Sequence, residues 1–152
     1  MATTETTKKE NAPRQHAAAH HTAHAGRYTE AVGRRKTAIA RVRIVAGKGK
    51  VTVNGKDLKS YFTIPRLVAA AKAPLEQLQL GDIDVSVKVV GGGINAQAEA
   101  IRLGLARAII EKSAEWKPRL HVMGFLTRDS RMVERKKYGK RKARRSPQWA
   151  KR

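Results

Sequence analysis

The chain has 152 residues and carries 33 lysines and arginines against 12 acids, a formal charge of +21 that suits one domain facing a polyanion. It has no cysteine, which excludes disulfides and thiolate metal sites. No apolar run approaches the roughly 20 residues of a membrane span, and the basic tail lacks the apolar face of a surface-bound helix. Nucleic acid is therefore the expected partner, with no membrane.

Residues 1–26 are rich in Thr, Ala and His and show no apolar periodicity. His16 and His20 stand at helical i,i+4 spacing beside His21 and His24, but no further ligand completes a metal site. The segment reads as a low-complexity extension with solvated histidines. The amino terminus lacks the apolar stretch of a secretory signal, and Glu5 and Glu10 argue against an acid-poor transit peptide. The chain reads as cytoplasmic.

From Thr37 the pattern has period two. Ala38, Ala40, Val42, Ile44 and Ala46 fall on one face, with Ile39, Arg41, Arg43 and Val45 on the other, which is a half-buried strand with a basic outer side. Gly47 and Gly49 mark a turn, Val51 and Val53 begin a second strand, and Asn54-Gly55 ends it. These two runs are expected to pair as a hairpin. Leu58, Tyr61 and Phe62 suggest a helical turn, and Pro65 can open a helix that Pro74 should end or kink. Ile83, Val85, Val87 and Val89 alternate with Asp82, Asp84, Ser86 and Lys88 to give the clearest strand. A long helix follows from about Asn95 to Lys112, with Ile94, Ala98, Ile101, Leu105, Ala108 and Ile109 on its buried face. Gly104 inside that helix implies close packing on the sheet. Pro118 is expected to close the region. The order of elements implies an α+β domain: a small two-layer sandwich of a short β-sheet with helices on one face, followed by a long extended basic C-terminal tail.

Residues 135–152 carry ten lysines and arginines and no acid. They contain no valine, isoleucine, leucine or phenylalanine, so they cannot bury enough apolar surface to offset their ordering entropy. The tail is expected to be disordered alone and to order against a polyanion. Within the domain, Arg34, Arg35 and Lys36 form a run of cations. Arg35, Arg41 and Arg43 are read as one period-two face spanning several phosphates. The run Gly91-Gly92-Gly93-Ile94-Asn95-Ala96 formally fits a dinucleotide fingerprint, but only residues 120–126 remain to extend a parallel sheet. Two readings of it stay open: a phosphate-receiving turn at a helix N-terminus, or a tight turn needing positive φ. Gly47-Lys48-Gly49-Lys50 lacks Walker spacing and reads as a basic hairpin tip. Asp82 and Asp84 read as the polar face of their strand. His121 has no sequence-assigned partner, so no catalytic constellation emerges and no enzyme, small-molecule substrate or cofactor is expected.

These motifs converge on a family. Gly33-Arg34-Arg35-Lys36-Thr37-Ala38 with Ala40-Arg41-Val42, the Val53-Asn54-Gly55 turn, and Gly91-Gly92-Gly93-Ile94 with Gln97-Ala98 and Ala100-Ile101-Arg102 resemble the small-subunit ribosomal protein nine family of bacterial type. So do Leu126-Thr127-Arg128-Asp129, Arg131, Val133-Glu134-Arg135-Lys136-Lys137, Gly139, Lys142-Ala143-Arg144-Arg145 and the terminal Pro147-Gln148-Trp149-Ala150-Lys151-Arg152. The resemblance spans residues 27–152; residues 1–26 match nothing in the family core. It implies a structural constituent of the small subunit that binds 16S-type rRNA in the subunit head beside neighbouring ribosomal proteins. The tail would thread between rRNA helices toward the anticodon stem-loop of P-site tRNA.

On that resemblance, residues 27–126 form the globular RNA-binding domain and 127–152 the tail. The rRNA-binding set comprises Arg34, Arg35, Lys36, Arg41, Arg43, Gly91, Gly92, Gly93, Arg128, Arg131, Arg135, Lys136, Lys137, Lys140, Arg141, Lys142, Arg144 and Arg145. Trp149, Ala150, Lys151 and Arg152 would lie near tRNA. Trp149 stands where the family often has phenylalanine, keeping a stacking surface, and Ala150 where it often has serine, removing one hydroxyl. The competing reading of the charge alone is a free nucleic-acid chaperone or DNA-compacting protein.

Overall fold

The computed structural model describes residues 28–151. Five strands, β1 (Thr29–Arg35), β2 (Ala38–Ala46), β3 (Val51–Val53), β4 (Lys56–Asp57) and β5 (Ile83–Val90), form one sheet in the order β1-β2-β5-β3-β4. Helices α1 (Leu58–Tyr61) and α2 (Pro65–Leu78) precede β5, and α3 (Ile94–Lys112) and α4 (Lys117–Val122) follow it. The protein is an α+β fold whose buried layer lies between one sheet face and the helices.

Alternation sets the core. Ala38, Ala40, Val42 and Ile44 of β2 and Val85, Val87 and Val89 of β5 are all buried, with polar or exposed residues between them. Ala98, Ile101, Leu105, Ala108 and Ile109 of α3 close over them. Ile94, expected on the same face, is 54% exposed, because it is the first residue of α3 and lies ahead of the buried run that begins at Ala96. Two glycines let α3 approach the sheet. A Cβ on Gly33 of β1 would lie 1.9 Å from the Ala100 carbonyl oxygen and 2.4 Å from the Gly104 nitrogen. A Cβ on Gly104 would lie 2.8 Å from Val42 Cγ2, so neither position has room for a side chain.

The expected hairpin between β2 and β3 does not form. Strand β5 lies between them, antiparallel to β2 and parallel to β3, so both of its hydrogen-bonding edges are used. The connecting loop is held by Asp84, whose Oδ1 accepts from the backbone N–H of Lys48 (2.9 Å) and Lys50 (2.8 Å). Gly47-Lys48-Gly49-Lys50 is thus a crossover loop closed on a carboxylate, and Asp84 does more than line a strand's polar face. The Asn54-Gly55 turn joins β3 to β4 with positive φ at both residues (49° and 81°). The Asn54 side-chain amide donates to the Val89 carbonyl and accepts from its N–H, extending the pairing past the end of β3.

Pro74 does not end its helix, and Pro118 takes a different place from the one expected. Helix α2 continues through Pro74 to Leu78. Pro74 lacks the N–H that would bond the preceding turn, but its ring is fully buried on the same helix as buried Leu67, Ala71, Leu75 and Leu78, and that burial offsets the lost bond. Pro118 opens α4, where a missing N–H costs nothing, and does not close the region. Residues 120–126 therefore belong to α4 and the turn after it, and no further parallel strand follows α3 among the described residues. The dinucleotide-binding reading loses its scaffold. No helix among the described residues is long and apolar enough to cross a membrane.

Candidate nucleic-acid interface

The helix-free face of the sheet presents cations in cross-strand rows. One row pairs Arg34 with Ile39 and Val90; the next pairs Val32 with Arg41 and Lys88. Arg34, Arg41 and Lys88 are exposed and make no ion pair among the described residues. Sequence reasoning left Lys88 out of the candidate site, although its alternation with buried valines placed it on this face.

Arg35 does not share that face. The chain reverses at Lys36 (φ 50°) and Thr37, and Arg35 pairs in register with buried Ala38. Period two does not carry across a turn, so Arg35 points to the helical side and is buried, while Arg34 takes its place outside. Lys36 is exposed at the turn. Arg43 lies on the open face but is already engaged. Its Nε donates to Glu30 Oε2 (2.8 Å), and its guanidinium sits 4.7 Å from the Tyr28 ring centre. The Glu30 carboxylate raises the Arg43 pKa further above its ordinary value. Another cation, Arg107 of α3, is used internally and donates to the Val32 carbonyl at 3.0 Å.

Gly91 and Gly92 adopt positive φ (72° and 68°), and a Cβ at either would fall within 3 Å of Thr37 O or Ala38. Backbone geometry therefore accounts for both. Gly93 is extended and opens α3, with no side chain capping its first turn. Gln97 locks the turn by donating to Gly91 O (3.1 Å) and accepting from the Tyr61 hydroxyl (2.8 Å).

Residues 127–151 contain no helix or strand. Arg128, Arg135, Lys136, Lys137, Lys140, Arg141, Lys142 and Arg145 are exposed. Two tail arginines meet carboxylates. The side chain of Arg131 donates to both oxygens of Asp129 (2.8–3.1 Å), and Arg144 pairs with Glu134. Hydrogen bonding from the Arg131 side chain and backbone N–H holds the Asp129 carboxyl well below the usual carboxylate range. Arg144 likewise lowers the Glu134 pKa. Arg141 and Lys142 donate backbone N–H groups to the Arg145 carbonyl, closing a compact loop. Trp149 is 80% exposed, Ala150 and Lys151 are exposed, and Arg152 lies outside the described residues, as do the amino-terminal histidines.

Residues 33–152 match the family model described as ribosomal protein S9/S16. The chain belongs to that family. It is 53% identical to the small ribosomal subunit protein uS9 of Cytophaga hutchinsonii over 123 residues, which cover 80% of this chain and 96% of the relative. It is 51% identical to the protein of the same name from Thermus thermophilus, over 79% of this chain and 94% of the relative. The Nostoc punctiforme protein of that name is 52% identical over 79% of this chain and 88% of the relative. The family is structural and non-enzymatic, so the protein is a ribosomal protein serving translation without catalysis. The family resemblance read from the motifs is thereby shown.

Proposed function

We propose that this chain is a cytoplasmic small-subunit protein that binds 16S-type rRNA in the subunit head through its open sheet face and its tail. The supporting observation is the division of its cations: Arg34, Arg41 and Lys88 stand on the sheet without an ion pair among the described residues, while residues 127–151 expose a long basic segment with two internal acid partners. Binding releases counterions along both surfaces, and the fixed sheet reads RNA shape while the tail follows the backbone. The Gly93 turn at the uncapped start of α3 offers backbone N–H groups to one phosphate. In this reading, residues 127–148 line rRNA crevices among neighbouring head proteins. Trp149, Ala150, Lys151 and Arg152 reach the anticodon stem-loop of P-site tRNA.

Deletion of Lys151 and Arg152 is expected to leave subunit assembly intact and to weaken P-site tRNA binding. Truncation back to Arg128 is expected to impair assembly as well. Sucrose-gradient sedimentation and filter binding of tRNA to purified subunits separate the two effects, and equal assembly defects would contradict this division of labour. A chain that never travels with small subunits at low salt would favour the chaperone reading.

A further inference from the structure

Arg35 was expected on the RNA-facing surface, yet its side chain is only 10% exposed and its contacts are internal. Its Nε donates to Glu99 on α3. Its Nη1 donates to two tail carbonyls, those of Asp129 (3.2 Å) and Arg131 (2.6 Å), and its Nη2 pairs with the Asp129 carboxylate at 2.9 Å. One guanidinium thus joins β1, α3 and the root of the tail. We propose that Arg35, with Glu99 and Asp129, forms a clasp that fixes the direction in which the basic tail leaves the domain.

The chemistry favours a positioning role. Guanidinium donors lie in one plane and cannot rotate independently, so accepting atoms on Asp129 and Arg131 are fixed relative to β1. An ammonium has no such fork. Glu99 receives the Nε while the tail atoms take Nη1 and Nη2, so all three nitrogens are engaged and the plane itself is held in orientation. Arg131 then reaches back to Asp129 through its backbone N–H (2.9 Å), which rigidifies the same three residues. A side chain this enclosed gives nothing directly to phosphate. Its effect on RNA binding, which rests on the reading of the tail as an RNA ligand, comes from restricting the conformations the free tail must give up.

The absence of native cysteine allows two labels to be placed uniquely, at exposed Lys59 and at exposed Met132 beside the clasp, through K59C and M132C in the full chain. Electron–electron double resonance should give a narrow distance distribution with Arg35 present and a broad one in Arg35→Lys, which keeps the charge. Asp129→Ala tests the same clasp from the tail side, and it leaves Arg35 paired with Glu99 should Arg35→Lys unfold the domain. With a head-domain rRNA fragment, both variants should lose about five- to tenfold in affinity while the salt slope stays at the parent's value. A parent distribution as broad as the variants', or an unchanged one in Asp129→Ala, would overturn the clasp. A parent whose affinity does not depend on salt would overturn the tail's role in RNA binding while the distances still decide the clasp.

Discussion

The domain and the tail carry positive charge in opposite ways. On the domain, cations sit on a sheet whose register is set by packed valines and alanines, and several are spent internally: Arg35 on Glu99 and Asp129, Arg43 on Glu30, Arg107 on the Val32 carbonyl. In the tail, cations outnumber acids, and the contacts made are those of the clasped root, the Glu134–Arg144 pair and the backbone loop closed on the Arg145 carbonyl. The domain therefore offers a few charges in fixed places, and the tail offers many along a path that RNA would define. On the proposed reading, shape selectivity would belong to the first and most of the salt dependence to the second.

The largest effect should come from breaking the domain while leaving the tail's charge untouched. Gly33→Ala forces a Cβ against the α3 backbone and should cost about 3 kcal/mol, a large share of the roughly 5–15 kcal/mol that holds a domain folded. Circular dichroism should show melting at a lower temperature, and between the variant's midpoint and the parent's, RNA binding should persist with a steep salt slope but without preference for the head fragment. Preserved preference would break the comparison.

A smaller effect is expected from Arg41→Ala combined with Lys88→Ala. Both side chains lie in one cross-strand row, so the salt slope should fall by roughly 1.4–1.8 if each meets a phosphate. Arg43→Ala should change the slope less than Arg41→Ala alone, because Glu30 already neutralises Arg43. Equal effects of Arg41→Ala and Arg43→Ala would show that the internal pairing is irrelevant to binding.

Mild acid should do least. Asp129 has a depressed pKa in the folded protein, so its contribution is fully present above the unfolded value near 4 and is lost as pH falls through the folded value below it. The distances between labels at positions 59 and 132 should therefore be unchanged from about pH 8 to pH 5. Broadening within that window would place the tail's anchor on some group other than Asp129.

Much of this arrangement was legible from residue pattern. The alternation in β2 and β5, the 3.6-residue period of α3 and the glycine inside it all reflect local burial, and the packed structure keeps them. What was not legible depends on non-local partners. Strand β1 escaped notice because TEAVGRR does not alternate; it lies at the sheet edge and carries the glycine over which α3 crosses. The insertion of β5 between β2 and β3 could not be read from sequence adjacency. Period two places Arg35 on the wrong face because a two-residue turn resets strand phase, and its true partners are 64 and 94 residues away. Lys88 could have been found by extending the face of Arg41 across a neighbouring strand, which needs the register.

The central claim is that the tail supplies most of the phosphate neutralisation and the domain supplies the shape. Its most direct test compares the salt dependence of binding to a 16S-type head-domain fragment for the full chain and for a chain lacking residues 135–152. That deletion removes ten cations, each worth about 0.7–0.9 in the log–log slope when it meets a phosphate. The slope should fall by more than half while the preference for the head fragment survives. Equal slopes for the two chains would contradict it.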